Sequence, residues 1–187
     1  MVRRRPGSGV LVAISRAGFG ILDIVARSKP KVESLHVYIE VDDLSREAVH
    51  GLLAEHLADM RATSPPDSVH ALDLPGLRDP SVTVWTLWGE ETVLGTVALR
   101  ELSPAEGEIK SMRTAAEARG RGVATRLLAH LVDEARARGY VRLSLETGVE
   151  DFFAPARRLY TEHGFTECPP FGDYGNDPNS IFFTLSL

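Results

Sequence analysis

Between residues 35 and 41 apolar and polar side chains alternate, with Leu35, Val37, Ile39 and Val41 on one side, the period of a half-buried strand. Residues 44–60 switch to helical spacing through Leu44, Ala48, Leu52, Leu53, Leu57 and Met60, and Asp42 or Asp43 is available as a cap. Four prolines interrupt residues 61–80, where a short helical turn is expected at 68–72. Residues 82–88 and 92–100 are rich in β-branched and aromatic side chains and are parted by Gly89-Glu90-Glu91, which reads as a hairpin. Residues 107–114 add a third antiparallel strand.

Beyond a glycine-rich stretch, Val123, Leu127, Leu131 and Ala135 form one apolar stripe, and Asp133 with Arg136 and Glu134 with Arg138 are spaced as solvent-side ion pairs. Gly139 stops this helix as a C′ glycine. A strand follows at 141–145, then a helix carrying Leu159 and Tyr160, in which Pro155 fits only the first turn. Residues 166–180 read as a Pro/Gly/Asp/Asn loop before a closing strand at 181–185. This order predicts one α/β domain: a mixed, mostly antiparallel sheet with a central crossover and flanking helices.

Composition changes this picture at the N-terminus. Residues 1–34 carry Arg3, Arg4, Arg5, Arg16, Arg27, Lys29 and Lys31 against Asp23 and Glu33, a local charge of +5. The chain as a whole is −5, so the domain at 35–187 is distinctly acidic, against a general nucleic-acid binder. The apolar run 10–14 is broken by Ser15, Arg16 and Gly18, short of a leader's core, and residues 1–34 are expected to be a disordered basic extension without chemistry. No run approaches the ~18 apolar residues of a membrane span. The single Cys168 excludes an internal disulfide and fits a reducing, cytoplasmic compartment.

The stretch Arg119-Gly120-Arg121-Gly122-Val123-Ala124-Thr125 lies between a strand and an amphipathic helix. Glycines allow a tight turn, a helix start presents unpaired N–H groups, and the arginines add positive charge, so an anionic phosphate group is the natural guest. Neither a G-x-x-x-x-G-K-[ST] loop nor an early G-x-G-x-x-G occurs. Other chemistries find little support. His130 and Glu134 share a helix face without an H-E-x-x-H motif, so no metal is expected, and no G-x-S-x-G nucleophile elbow is present.

Arg119, Gly122 and Ala124 match [QR]-x-x-G-x-[GA], and Leu159-Tyr160-Thr161-Glu162-His163-Gly164-Phe165 matches L-Y-x-x-x-G-F. In this order the two signatures resemble the GCN5-related N-acetyltransferases (GNAT family). Segments 55–60, 64–72, 107–113, 145–148 and 170–174 are similar to its bacterial YsnE-type branch, so the resemblance spans roughly 36–187. It implies the acyl-CoA N-acyltransferase fold and an acetyl-CoA-dependent enzyme that moves an acetyl group to an amine by direct transfer.

The resemblance also implies roles. Arg119 to Thr125 would take the pyrophosphate of coenzyme A, and the backbone of Met112 and Thr114 would align its pantetheine arm. Tyr160 would protonate the departing thiolate, with a packed aromatic as the alternative. Glu108 or Glu146 would help deprotonate the amine, unless pairing with Lys110 or Arg113 makes a structural ion pair instead. His56, Ser64, Ser68, His70, Lys110, Arg113 and Tyr174 fall in branch-specific segments and are candidates for acceptor binding, where Lys110 with Arg113 would suit a carboxylate. One departure is Phe153, where many members carry asparagine. A small-molecule amine is the expected acceptor, with protein lysine, an N-terminal amine or a non-catalytic acyl-CoA sensor as alternatives, and a homodimer is left open.

Overall fold

A computed structural model describes residues 36–187. The expected basic extension at 1–34, and Leu35 at the start of the first predicted strand, lie outside the described residues. Strand β1 (Val37–Val41) pairs antiparallel with β2 (Val82–Gly89), β2 with β3 (Thr92–Ser103), and β3 with β4 (Glu106–Thr114). The crossover helix α3 (Val123–Ala137) then leads to β5 (Arg142–Gly148), parallel to β4. Helix α4 (Ala154–Glu162) and the short β6 (Thr166–Cys168) precede β7 (Ser180–Ser186), which lies between β5 and β6. Among the described residues the sheet has seven strands in the order β1-β2-β3-β4-β5-β7-β6.

Neighbouring residues on β2 show how the layers form. Trp85 packs on His130 and lies under Arg138, both from the α3 segment, whereas the next residue, Thr86, donates to Asp42 just before helix α1 (Glu47–Thr63). Successive strand side chains point to opposite faces, so α1 and α3 cover opposite sides of the sheet. The predicted stripe of α3 is buried as expected: Val123, Leu127, Leu131 and Ala135 are each no more than 1% exposed. Each such leucine contributes about 1.5–3 kcal/mol of burial free energy. Gly139, at φ +80°, ends the helix while Tyr140 N–H donates back to Ala135 O.

Several expectations are corrected. Helix α1 begins at Glu47, after 44, because Asp42 and Asp43 accept from Leu44 N–H and Ser45 N–H two residues on, and Leu44 takes a positive φ of 57°. Those carboxylates build a turn rather than cap the helix. With the later start, Val49 turns inward and Ala48 outward. The turn expected at 68–72 is displaced to a 3-10 turn at Pro66–Ser68 and a short helix α2 (Leu74–Leu77) capped by Asp73. Arg138 reaches Thr83 instead of Glu134. Within the presumed loop 166–180, the edge strand β6 was not anticipated because three residues are too few to show a period.

One irregularity opens the site. β4 and β5 pair only from Glu106↔Arg142 to Glu108↔Ser144. On its other side β4 slips register against β3 near Ser111, which is itself at φ 47°. Such a bulge bends the strand, and β4 and β5 part beyond Glu108.

Candidate active site

The phosphate-type loop takes the form its glycines require. Gly120 and Gly122 sit at φ +75° and +88°, and an added Cβ at either would meet nothing within 4 Å, so conformation rather than crowding demands glycine. Gly122 is the N-cap of α3 and lends no side chain to it. The first turn of α3, from Val123 through Ala124 to Thr125, therefore offers backbone N–H donors that the helix cannot satisfy. Arg119 is exposed beside them and Arg121 is half-buried.

The slot between β4 and β5 continues from this loop. Past Glu108 the β5-side backbone of β4, from Ile109 through Met112 to Thr114, has no strand against it among the described residues, an edge on which an extended amide arm can bond. Gly148 closes the far side, where Phe153 approaches so tightly that a Cβ on Gly148 would stand 2.4 Å from its ring. Phe153 is thus a buried aromatic plug, and Arg157 ties down the segment around it by donating to Gly148 O and Glu150 O.

Tyr160 projects from α4 into the slot. Its ring packs on Phe165 and Phe183, and its hydroxyl donates to Met112 Sδ at 3.4 Å. Burial, reinforced by the negative charge of Glu146, holds its phenol above the ordinary tyrosine range. Glu146 on β5 accepts from Ser180 Oγ at 2.7 Å. Burial raises its carboxyl above the usual range, Ser180, His70 and Lys110 pull it back, and Glu108 pushes it up.

Next to this end lies a cavity of about 640 Å³ between β4 and the two Pro-rich loops. Its floor is a bonded triad: Lys110 Nζ donates to Tyr174 Oη at 2.7 Å, Tyr174 Oη donates to Glu108 Oε1 at 2.6 Å, and Lys110 lies 3.1 Å from the same oxygen. Glu108 is 1% exposed, and its equally buried Oε2 has no hydrogen-bond partner among the described residues. Burial and Glu108 together raise the Tyr174 phenol. Its ring meets His70 edge-on at 5.0 Å and also contacts Phe171 and Phe182, while Ser68 Oγ accepts from Asn179.

Of the acceptor-side candidates, Ser68, His70, Lys110 and Tyr174 therefore converge. Ser64 instead closes α1, its N–H donating to Met60 O. Arg113 and His56 meet instead where β4 packs against α1, the helix that carries His56, and there Arg113 Nη1 donates to Asp59 Oδ2 at 2.6 Å. Burial and the adjacent Arg113 and Lys110 charges depress the His56 imidazole to about 4, against the attraction of Asp59. Arg113 is thereby committed to α1, and the second cation at the cavity is Arg100 of β3, missed in the sequence because only strand register brings it opposite Glu108. Asn179 and Asp177 were missed because the loop carrying them reads as a connector.

Comparison with known proteins agrees with this geometry. The Acetyltransferase (GNAT) family profile matches residues 47–165. The chain is 50% identical to the uncharacterized N-acetyltransferase YsnE of Bacillus subtilis over 151 residues, 81% of this chain and all of that one. It is 47% identical to the uncharacterized N-acetyltransferase YedL of Escherichia coli over 149 residues, 80% of this chain and 94% of that one. An acyl-CoA N-acyltransferase structure from Klebsiella pneumoniae superposes with a TM-score of 0.69 at 26% identity, covering 81% of this chain and 98% of its own. A GNAT acetyltransferase of Elizabethkingia anophelis with acetyl-CoA bound shares the fold at a TM-score of 0.60 and 18% identity, over 81% and 98% of the two chains. With a family profile over most of its length and relatives of 50% and 47% identity, the chain belongs to the GNAT family and is an acetyl-CoA-dependent N-acetyltransferase.

Proposed function

We propose that the enzyme acetylates a primary amine of a small molecule. The observation that carries this reading is the cavity of about 640 Å³ walled by two loops, a volume suited to a whole small ligand. Coenzyme A would be held by the N–H groups of Val123, Ala124 and Thr125 with Arg119 and Arg121 beside them, and by the open edge of β4. When bound, acetyl-CoA supplies an activated acyl group and a thiolate leaving group.

The protein's own groups then divide the proton traffic. An alkyl ammonium with a pKa of about 10.4 must lose a proton before its nitrogen can attack. Glu146, with its raised carboxyl next to Tyr160, is the group we assign to accept that proton, directly or through a water. Glu108 is engaged by Lys110 and Tyr174, which suits a charge that shapes the cavity. The nitrogen–carbon bond forms as the carbon–sulfur bond breaks. Tyr160, kept protonated by its burial, gives its proton to the sulfur and is restored by the second proton of the amine.

The deciding experiment follows coenzyme A release with a thiol reagent over a panel of free amines and lysine-containing peptides. Turnover on free amines in preference to peptides supports the reading. Turnover on peptides alone replaces it with protein acetylation.

A further inference from the structure

Of the two protons that the ammonium gives up, one ends on the thiol by way of Tyr160 and the other is left on Glu146. That second proton must reach solvent before the next turnover, and a hydrogen-bonded path leads away from Glu146 on the side turned from the slot. Ser180 opens β7 two residues before Phe182, the register partner of Glu146, and so shares its face of the sheet. Ser180 Oγ donates to Glu146 Oε1 at 2.7 Å and stands 3.4 Å from Asp177 Oδ2. A hydroxyl has one proton to give, so the leg it is not serving is the long one.

Asp177 is aimed by its own turn. Its backbone carbonyl accepts from Ser180 N–H, and Oδ1 accepts from the backbone and side-chain N–H groups of Asn179 at 2.8 and 3.1 Å, which leaves Oδ2 for Ser180. Asn179 is held in turn by donating to Ser68 Oγ. Asp177 lines the cavity and is partly open to solvent. Lys110 and Glu108 of β4, His70 between α1 and α2, Tyr160 of α4 and Tyr174 act on Glu146 through charge, whereas Ser180 bonds it.

We propose that Ser180 and Asp177 form the exit by which the amine's proton passes from Glu146 to solvent. This rests on the assignment of Glu146 as base and holds for any amine acceptor. A half-turn of the Glu146 carboxyl about its terminal bond, a broad torsion, presents the new proton to Ser180 Oγ. The carboxyl O–H bond breaks as Ser180 Oγ takes that proton, the Ser180 hydroxyl releases its own proton to Asp177 Oδ2, and Asp177 hands it to water. Ser180 is left with its hydroxyl directed at Glu146, the arrangement observed. The Asn179 N–H bonds that hold the Asp177 carboxyl below its usual range keep it from retaining the proton. Transfer along formed hydrogen bonds starts from a ceiling of about 6 × 10¹² s⁻¹, so a step made uphill by several powers of ten still outruns turnover of roughly 1–10³ s⁻¹. Both residues act through Glu146 and are positioning residues.

The test follows coenzyme A release at low buffer concentration, on the best-used acceptor of the amine and peptide panel, in wild type, Ser180→Ala, Ser180→Thr, Asp177→Asn and Glu146→Gln. Calorimetric acetyl-CoA binding checks that each variant is folded. Asp177→Asn keeps an oxygen for the Asn179 N–H groups and loses the proton acceptor. The expected result is a kcat lowered about tenfold in Ser180→Ala and Asp177→Asn at an acceptor KM within about twofold of wild type, and near-wild-type kcat in Ser180→Thr, which keeps the hydroxyl. Added formate, a carboxylate small enough to carry the proton, restores Asp177→Asn. A loss in Asp177→Asn that formate does not restore makes the residue structural and overturns the exit. Wild-type kcat in Ser180→Ala and Asp177→Asn beside a slow Glu146→Gln overturns the exit and leaves Glu146 as the base, whereas an unimpaired Glu146→Gln overturns both.

Discussion

The loop we assign to phosphate and the cavity we assign to the acceptor adjoin the same strand, yet they are built on opposite principles. The loop is a backbone device: two glycines at positive φ and the free N–H groups of one helix start, all within seven consecutive residues. The cavity is a side-chain device, in which Arg100, Glu108, Lys110 and Tyr174 come from two strands and a distant loop. A contiguous backbone site depends little on the side chains around it, which suits the cofactor we assign to it. A convergent side-chain site changes with every substitution, which is why we assign acceptor choice to the cavity.

The contrast is broken most severely at the point where the two regions meet. Tyr160→Phe keeps the ring packed on Phe165 and Phe183 and removes only the hydroxyl. Loss of general-acid assistance lowers kcat by about 10²–10⁴-fold, measured as coenzyme A release, while acetyl-CoA affinity stays near that of wild type. Retention of kcat within a factor of three would return Tyr160 to a packing role.

Glu146→Gln probes the cavity side of the junction. A base works in its ionised form, so activity falls as pH drops through the Glu146 pKa, which burial has raised above the normal carboxylate range. The variant is expected to lose roughly 10–100-fold in kcat and the acidic limb of the pH–rate profile with it. A profile that keeps this limb assigns the base elsewhere.

Gly122→Ala tests the loop alone. At φ +88° the added methyl has room, and the cost is purely conformational, about 1–2 kcal/mol. Calorimetry should show acetyl-CoA affinity weakened about tenfold, with the relative rates among amines unchanged. A shifted amine preference would show that the two regions are coupled.

The smallest effect lies on α1, at His56. His56 is depressed to about 4 in the folded protein from an unfolded value near 6.5. Between these values the unfolded chain binds the proton and the native state does not, so stability rises with pH across that window and is lost as pH falls through it. His56→Gln is expected to flatten the pH dependence of the thermal midpoint between pH 6.5 and 4 by a few degrees. An unchanged slope would mean that other groups govern acid unfolding.

Legibility in the sequence follows the same division. The stripe Val123, Leu127, Leu131 and Ala135 announced α3 because helix period and burial coincide there, and the hairpin of β2 and β3 was plain from its β-branched runs. Helix α1 was misplaced at its start because Asp42 and Asp43 offer their carboxylates equally to a cap or a turn, and only the positive φ of Leu44 decides between them. Lys110 and Arg113, three residues apart on one strand, looked like a single anion site. The bulge at Ser111 keeps both on one face, opposite Ala98 and Thr96, and their partners divide them: Arg113 is held by Asp59 of α1 and Lys110 by Glu108.

By itself the sequence determined the strand alternation, the helical stripe of the crossover, and the glycine-bearing loop whose pattern resembles the GNAT signature, because these depend on residues near one another along the chain. The tertiary structure decided the parting of β4 and β5, the plug of Phe153 on Gly148 and the meeting of Arg100 with Glu108. Those depend on strand register and close packing between segments tens of residues apart, quantities that no local pattern of polar and apolar side chains encodes.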